Sequence, residues 1–149
     1  MDIVDVVFSF FDELQWSVAY VEHNTALSME YRGKNGQWTC HLHVLEEAQQ
    51  ILYYSVFPVH VPADKRGIVA EFLTYANYGL IYGNFELNLD DGQIRYKTSV
   101  DVEGNGLSVN LLKPVGFINV TTLDRYFESL TGLIYKDIPV RDALALVGR

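Results

Sequence analysis

Residues 79–102 read GLIYGNFELNLDDGQIRYKTSVDV, two alternating runs on either side of one turn. Before the turn, Phe85, Leu87 and Leu89 alternate with Glu86 and Asn88. After it, Ile94, Tyr96, Thr98 and Val100 alternate with Arg95, Lys97, Ser99 and Asp101. A period of two sends one set toward a core and the other toward water. Asp91 and Gly92 between the runs supply the positive φ that a tight hairpin turn requires. The stretch is therefore expected to be an antiparallel hairpin, with Glu86 opposite Arg95 or Lys97 according to register. Such an exposed pair contributes only about 0.2–1 kcal/mol. The apolar face of the hairpin needs cover, and a helical pattern stands on either side to supply it.

Working upstream, residues 2–15 carry Ile3, Val6, Val7, Phe10, Phe11 and Leu14 at helical spacing. Asp2 and Asp5 lie in the first turn, where carboxylates suit the positive end of the helix dipole. Val4 and Phe8 fall beside that stripe and widen it, which marks them for deep burial or for a contact with a second copy. Residues 16–22 and 25–31 read as paired strands turning at His23 and Asn24, with Leu27, Met29 and Tyr31 on one face. Gly33, Lys34, Asn35 and Gly36 form a second turn signal. Gln37–Leu45 follows, with Trp38, Cys40, Leu42 and Val44 on one face and Thr39, His41 and His43 on the other. Residues 51–57 are apolar on both faces, the pattern of a central strand buried on both sides.

Pro58 and Pro62 end that strand, and Pro62, Ala63 and Asp64 open a second helix. Its buried stripe is read as Ile68, Val69, Phe72, Leu73 and Ala76, with Gly79 as its C-cap. Downstream of the hairpin, Glu103, Gly104, Asn105 and Gly106 read as a polar linker, and Ser108 as a helix N-cap. Pro114 and Gly116 are expected to kink the third helix or delay its start to Val115. Ile118, Leu123, Tyr126, Phe127 and Leu130 carry it to Gly132. Asp137, Ile138 and Pro139 start a short terminal helix over Val140–Val147. Strands joined by short turns make a mostly antiparallel sheet, and helices must cover at least one face, giving an α+β class.

The chain has 149 residues, 49% hydrophobic and 20% charged, the size and composition of one globular domain over 1–149. A net charge of -8 argues against a nucleic-acid partner and against an anionic membrane surface, both of which need a basic face. Cys40 is the single cysteine, so no intrachain disulfide forms. No basic segment precedes the first apolar run and no stretch is long and uncharged enough to span a bilayer, so a cytoplasmic protein is expected.

The segment NYGLIYGNFELNLDDGQIRYKTSVDVEG at 77–104 resembles the YbjN-domain family of bacterial proteins. The resemblance rests on a helix ending in Asn-Tyr-Gly, a Gly-Asn-Phe-Glu strand, an acidic-Gly turn and an Arg-Tyr-Lys strand. TTLDRYFESLTGLIYKDIPVRDALA at 121–145 is similar to the family's C-terminal helical part. The resemblance covers the last half of the chain, and the first half by element order. It implies a type III secretion chaperone-like fold, helices flanking a curved antiparallel sheet, and a role in bacterial sensory transduction or stress regulation. It brings no catalytic residues. Lys113, Pro114, Val115 and Gly116 depart from the family pattern.

The residues themselves offer little chemistry. His41 and His43 share a strand face at a spacing that can hold a metal, but Cys40 points the other way and no third ligand stands nearby. A Cys40–His nucleophile pair fails on the same geometry. Asp90 and Asp91 are neighbours on a turn and do not converge on a substrate. No phosphate-binding or nucleophile-elbow motif occurs. The reading is therefore a non-enzymatic protein-interaction or chaperone-like domain, without metal or cofactor, that binds a protein or peptide and forms a homodimer. Its expected interaction surface is Tyr75, Tyr78 and Tyr82 with Val4 and Phe8, since tyrosine is enriched at interfaces. The competing reading is a small-ligand sensor or enzyme with a pocket between sheet and helices.

Overall fold

The computed structural model describes residues 3–22 (backbone alone for 19–22), 26–103 and 108–148. The elements are α1 (Ile3–Leu14), β1 (Ala19–Glu22), β2 (Ala26–Arg32), β3 (Gln37–Leu45), β4 (Gln50–Val56), α2 (Arg66–Gly79), β5 (Asn84–Leu87), β6 (Ile94–Asp101), α3 (Val109–Tyr135) and α4 (Val140–Val147). A single 3-10 turn, Ala63–Lys65, leads into α2. The expected turn at His23 and Asn24, the linker glycines 104 and 106, and Asp2 lie outside the described residues.

All six strands form one antiparallel sheet in the order β1-β2-β3-β4-β6-β5. The four helices gather over the face that carries Leu27, Met29, Trp38, Cys40, Leu42, Ile51, Tyr53, Phe85, Ile94 and Tyr96, all buried. Each large apolar side chain taken fully from water there contributes about 1.5–3 kcal/mol. α3 lies across β4 and β6. Its Asn119 amide donates to Tyr53 O at 2.9 Å, Tyr96 O at 3.1 Å and Thr98 Oγ1 at 3.1 Å. Phe127 of the same helix stacks on Trp38 with ring centres 5.7 Å apart. α1 packs on α3, and α2 packs on β5 and α4.

The strand β4 was expected to be buried on both faces and is not. Ile51, Tyr53 and Ser55 are buried, but Leu52 and Val56 on the opposite face are half-exposed because no helix covers that side. Tyr54 alone is buried there, with the Arg95 guanidinium 4.3 Å from its ring centre and the His43 ring edge-on at 5.7 Å. The central place of β4 was legible; the second helical layer its composition suggested does not exist among the described residues.

Four helical expectations are also corrected. α3 runs without a break through Pro114 and Gly116. Ser108 Oγ caps it by accepting from Leu111 N at 3.1 Å, so Pro114 stands little more than a turn inside and removes one backbone bond. Gly116 is a packing requirement: a Cβ there would come within 2.8 Å of the Phe10 ring, so glycine lets α1 approach. The helix then continues past Gly132 to Tyr135. In α2 the buried stripe is Val69, Phe72, Leu73 and Ala76, while Ile68 stands 38% exposed. Gly79 is inside that helix, and Leu80 is its C-cap.

At the N-terminal end, the first strand begins at Ala19 and not at Trp16. Gln15, at φ 58°, turns the chain off α1, and Trp16 N bonds Phe11 O at 3.0 Å. The Trp16 ring is thereby placed among Phe10, Tyr31 and Phe117.

Candidate functional site

The exposed apolar surface is made by the end of α2 and the segment that follows. Because Val69, Phe72, Leu73 and Ala76 face the core, the helical period turns residues 71, 74, 75 and 78 outward. Tyr75 is 58% exposed and Tyr78 95%. After Leu80 the chain extends, and Ile81 and Tyr82 stand 90% and 61% exposed. The backbone beneath them is fixed all the same. The Tyr96 hydroxyl donates to Tyr82 O, and Gly83 takes a φ of 67° where a Cβ would strike the Lys97 carbonyl. Glu71, Thr74, Tyr75 and Tyr78 line a shallow concavity of about 570 Å³. A second, of about 320 Å³, runs between α2 and α4 with Glu71, Tyr75, Val140, Arg141 and Leu144 on its walls.

The structure divides the expected surface residues into two groups. Tyr75, Tyr78 and Tyr82 stand together on and just after α2. Val4 and Phe8 lie on α1, half-buried and packed against the core, on a helix whose main neighbour is α3. Sequence reasoning missed Ile81, which completes the tyrosine surface. Its signal was position alone, an apolar residue just past a helix end between two tyrosines.

Next to this surface lies β5, one edge of the sheet. Asn77 of α2 bonds its middle residue twice: Phe85 N donates to Asn77 Oδ1 at 2.7 Å, and Asn77 Nδ2 donates to Phe85 O at 3.0 Å. One amide side chain thus takes the place of a neighbouring strand and blunts the edge. Behind it, a cavity of about 340 Å³ opens between β5, β6 and the first turns of α3, with Tyr82, Val100, Leu111, Pro114, Val115 and Ile118 among its walls.

On the uncovered sheet face, Glu86 meets both candidate partners. Arg95 Nε lies 2.7 Å from Glu86 Oε1, and Lys97 Nζ lies 3.1 Å from Oε2. Desolvation pushes the Glu86 carboxyl upward, but the hydrogen bonds and charges of Lys97 and Arg95 outweigh it and hold the group below its usual value. His41 is held below its usual value by burial and by neighbouring His43. Cys40 points to the core, where burial raises its thiol against hydrogen bonds from Ser55 and others. Among the described residues, no three His, Cys, Asp or Glu side chains converge as metal ligands. No described helix is long and apolar enough to cross a membrane.

A family model described as "YbjN: Putative bacterial sensory transduction regulator" matches residues 4–131. The chain belongs to the YbjN family. Among solved structures, it is similar to YbjN from E. coli, at 12% identity, a TM-score of 0.61 and 89% coverage of both chains. It is also similar to a chain of the ExsC-ExsE complex, at 13% identity and a TM-score of 0.57, covering 85% of this chain and 94% of that one. A chain of the HopA1-SchA chaperone-effector complex follows at 17% identity and a TM-score of 0.51, covering 81% of this chain and 88% of that one. At these identities the likenesses establish the fold, which is that of the YbjN family and of type III secretion chaperones. No curated protein sequence matches significantly.

Proposed function

We propose that this YbjN-family chain is a non-enzymatic, chaperone-like adaptor in bacterial regulation or stress response, and that it binds an extended or helical segment of another protein. The carrying observation is the exposed run of Tyr75, Tyr78, Ile81 and Tyr82 beside two shallow concavities. Large apolar side chains clustered on a water-facing surface are characteristic of protein-binding patches. Aromatic anchors of this kind contribute contact area at low entropic cost because they have few rotatable bonds. Two of the fold relatives come from complexes, one of them described as a chaperone with its effector. That description belongs to those proteins and supports the reading by analogy of fold.

Docking through side chains in a groove is preferred over strand addition at β5, because Asn77 already holds the Phe85 backbone. A net charge of -8 steers basic segments toward the chain, so binding weakens as salt rises. Self-association into a homodimer belongs to the same proposal.

The test compares the wild-type chain with a Tyr75→Ser, Tyr78→Ser, Ile81→Ser variant, both immobilised in native lysate. A polypeptide retained by the wild type and lost by the folded variant is the expected result. A small molecule that raises the melting temperature saturably, with no retained polypeptide, would favour a ligand-sensing role for the 340 Å³ cavity behind β5.

A further inference from the structure

Met29, Glu30, Tyr31 and Arg32 form an open strand edge. β2 runs from Ala26 to Arg32, but its pairing with β1 ends at Ala19 opposite Ser28. Among the described residues, the rest of β2 is paired on one side only, by β3. A concavity of about 730 Å³ lies beside this edge, lined by residues 28–32 together with Gln15, Trp16, Ser17 and Val18. Unlike β5, no side chain among the described residues takes the place of a strand here.

The phase of the ladder decides which backbone groups face that space. Gly33 N donates to Gly36 O at 2.8 Å across the turn, and the register places Tyr31 opposite Trp38 and Met29 opposite Cys40. Hydrogen-bonded pairs alternate in an antiparallel ladder, so Tyr31 and Met29 exchange bonds with β3, while Glu30 and Arg32 turn their N–H and C=O away from it. Ser28, which meets Ala19 of β1, is in that same phase.

The side chains of Glu30 and Arg32 both lie on the uncovered sheet face, exposed, and neither has an oppositely charged partner among the described residues. Glu30 accepts from the Thr39 hydroxyl, and Arg32 reaches only the Gln37 side-chain carbonyl, at 3.2 and 3.4 Å. Charged side chains on an edge, Lys above all, usually guard it against pairing with a second copy. Glu-Tyr-Arg is the opposite, because it is complementary to itself when run antiparallel.

The geometry points to β2-to-β2 pairing of two copies of this chain about a two-fold axis at Tyr31, making one continuous sheet. In that pairing Glu30 faces the second copy's Arg32, and Arg32 faces its Glu30. Both positions are ones whose N–H and C=O point outward, so each pair forms two backbone bonds beneath an ion pair. Tyr31 meets its own copy at the non-bonded position between them. A two-fold contact requires this self-complementarity. The inference rests on the self-association proposed above and names the surface through which it occurs.

The experiment is sedimentation equilibrium on the full chain and three variants. Wild type is expected to be a dimer. Glu30→Arg and Arg32→Glu each place like charges opposite one another and should weaken the dimer by about tenfold or more. The double variant Glu30→Arg with Arg32→Glu restores the complementarity in reverse and should return to within a few-fold of wild type. A Tyr31→Cys variant should form a covalent dimer under mild oxidant, since non-bonded antiparallel pairs lie about 4.5 Å apart at Cα, within disulfide range. The wild type, whose one thiol is buried, is its control. A dimer indifferent to both single reversals and not cross-linked through position 31 overturns this edge and leaves self-association standing. A monomer at high micromolar concentration overturns both.

Discussion

At the scale of single residues, Asp124 shows how one side chain joins two layers. It sits on α3, and its carboxylate accepts from Lys34 N at 3.0 Å and Asn35 N at 2.9 Å, while its own carbonyl accepts from the Asn35 amide at 3.0 Å. The turn between β2 and β3 thereby behaves like the first turn of a helix held by a capping carboxylate. Gly33 and Gly36 permit the approach, since a Cβ on either would collide with Asp124 or with the Phe127 ring. Asp124→Ala is expected to cost about 1–2 kcal/mol, the range for losing hydrogen bonds to a charged acceptor at a partly exposed site. A chemical denaturation midpoint, with unchanged m-value, measures it. Asp124→Asn retains one acceptor oxygen and should lose less.

At the scale of elements, the hairpin of β5 and β6 is instructive. The two strands pair antiparallel as the alternation predicts, and of the two registers the sequence left open the structure takes the one with Glu86 opposite Arg95 and Leu87 opposite Ile94. The connection is longer than the two residues that Asp91 and Gly92 suggest. Asn88 N bonds Gln93 O at 2.9 Å, and Gly92 N turns back to Asn88 O at 2.7 Å, which leaves Leu89 in the loop and 63% exposed. Only Gly92 takes a positive φ, 82°. Contacts from another part of the chain set this loop. Val61 N donates to Gly92 O at 2.8 Å, and Arg66 reaches Leu89 O and Asp90 O at 3.3 and 3.2 Å.

The outer edge of the same hairpin depends on Asn77. Asn77→Ala would leave the N–H of Phe85 without its partner and its C=O with only the Asn84 amide at 3.3 Å, a loss of about 1–3 kcal/mol. Hydrogen exchange should show the Phe85 amide losing protection more than the amides of β3, which are paired on both sides. If Phe85 stays as protected as in wild type, the amide clamp is not what closes this edge.

At the scale of the whole molecule, the acid response follows from groups on the uncovered sheet face. His41 has a folded-state value below its unfolded one, so the unfolded chain binds more protons between the two. Stability is therefore full above about 6.5, the usual histidine value, and falls as pH drops through it toward the folded value. Glu86 is depressed likewise, so its contribution is complete above the usual glutamate value of about 4.3 and is lost at lower pH. Two steps are expected in denaturation midpoint against pH, the upper one missing in His41→Gln and the lower one reduced in Glu86→Gln. A midpoint that stays flat between pH 7.5 and 5.5 in wild type would contradict the assignment to His41.

By itself, the sequence determined what is local. Alternation with short turns gave β3 its bounds at Gln37–Leu45, the Ser108 side chain marked the start of α3, and Pro139 marked the start of Val140–Val147, because caps, turns and periods act within a few residues of themselves. The tyrosines of the α2 surface were also legible as a cluster, since they are close in the chain. What the tertiary structure decided are matters of partnership at a distance. Whether the second face of β4 is covered depends on where the helices lie, not on its apolar residues. Pro114 and Gly116 look like breaks until Phe10 occupies the space that glycine leaves. Nothing local marks Asn77 as a substitute strand, Asp124 as the cap of a turn some ninety residues away (|i−j| = 89 and 90), or the Glu30 and Arg32 edge as open. Each is set by which segments the core brings side by side, and burial, unlike a turn or a cap, is a property of the assembled layers.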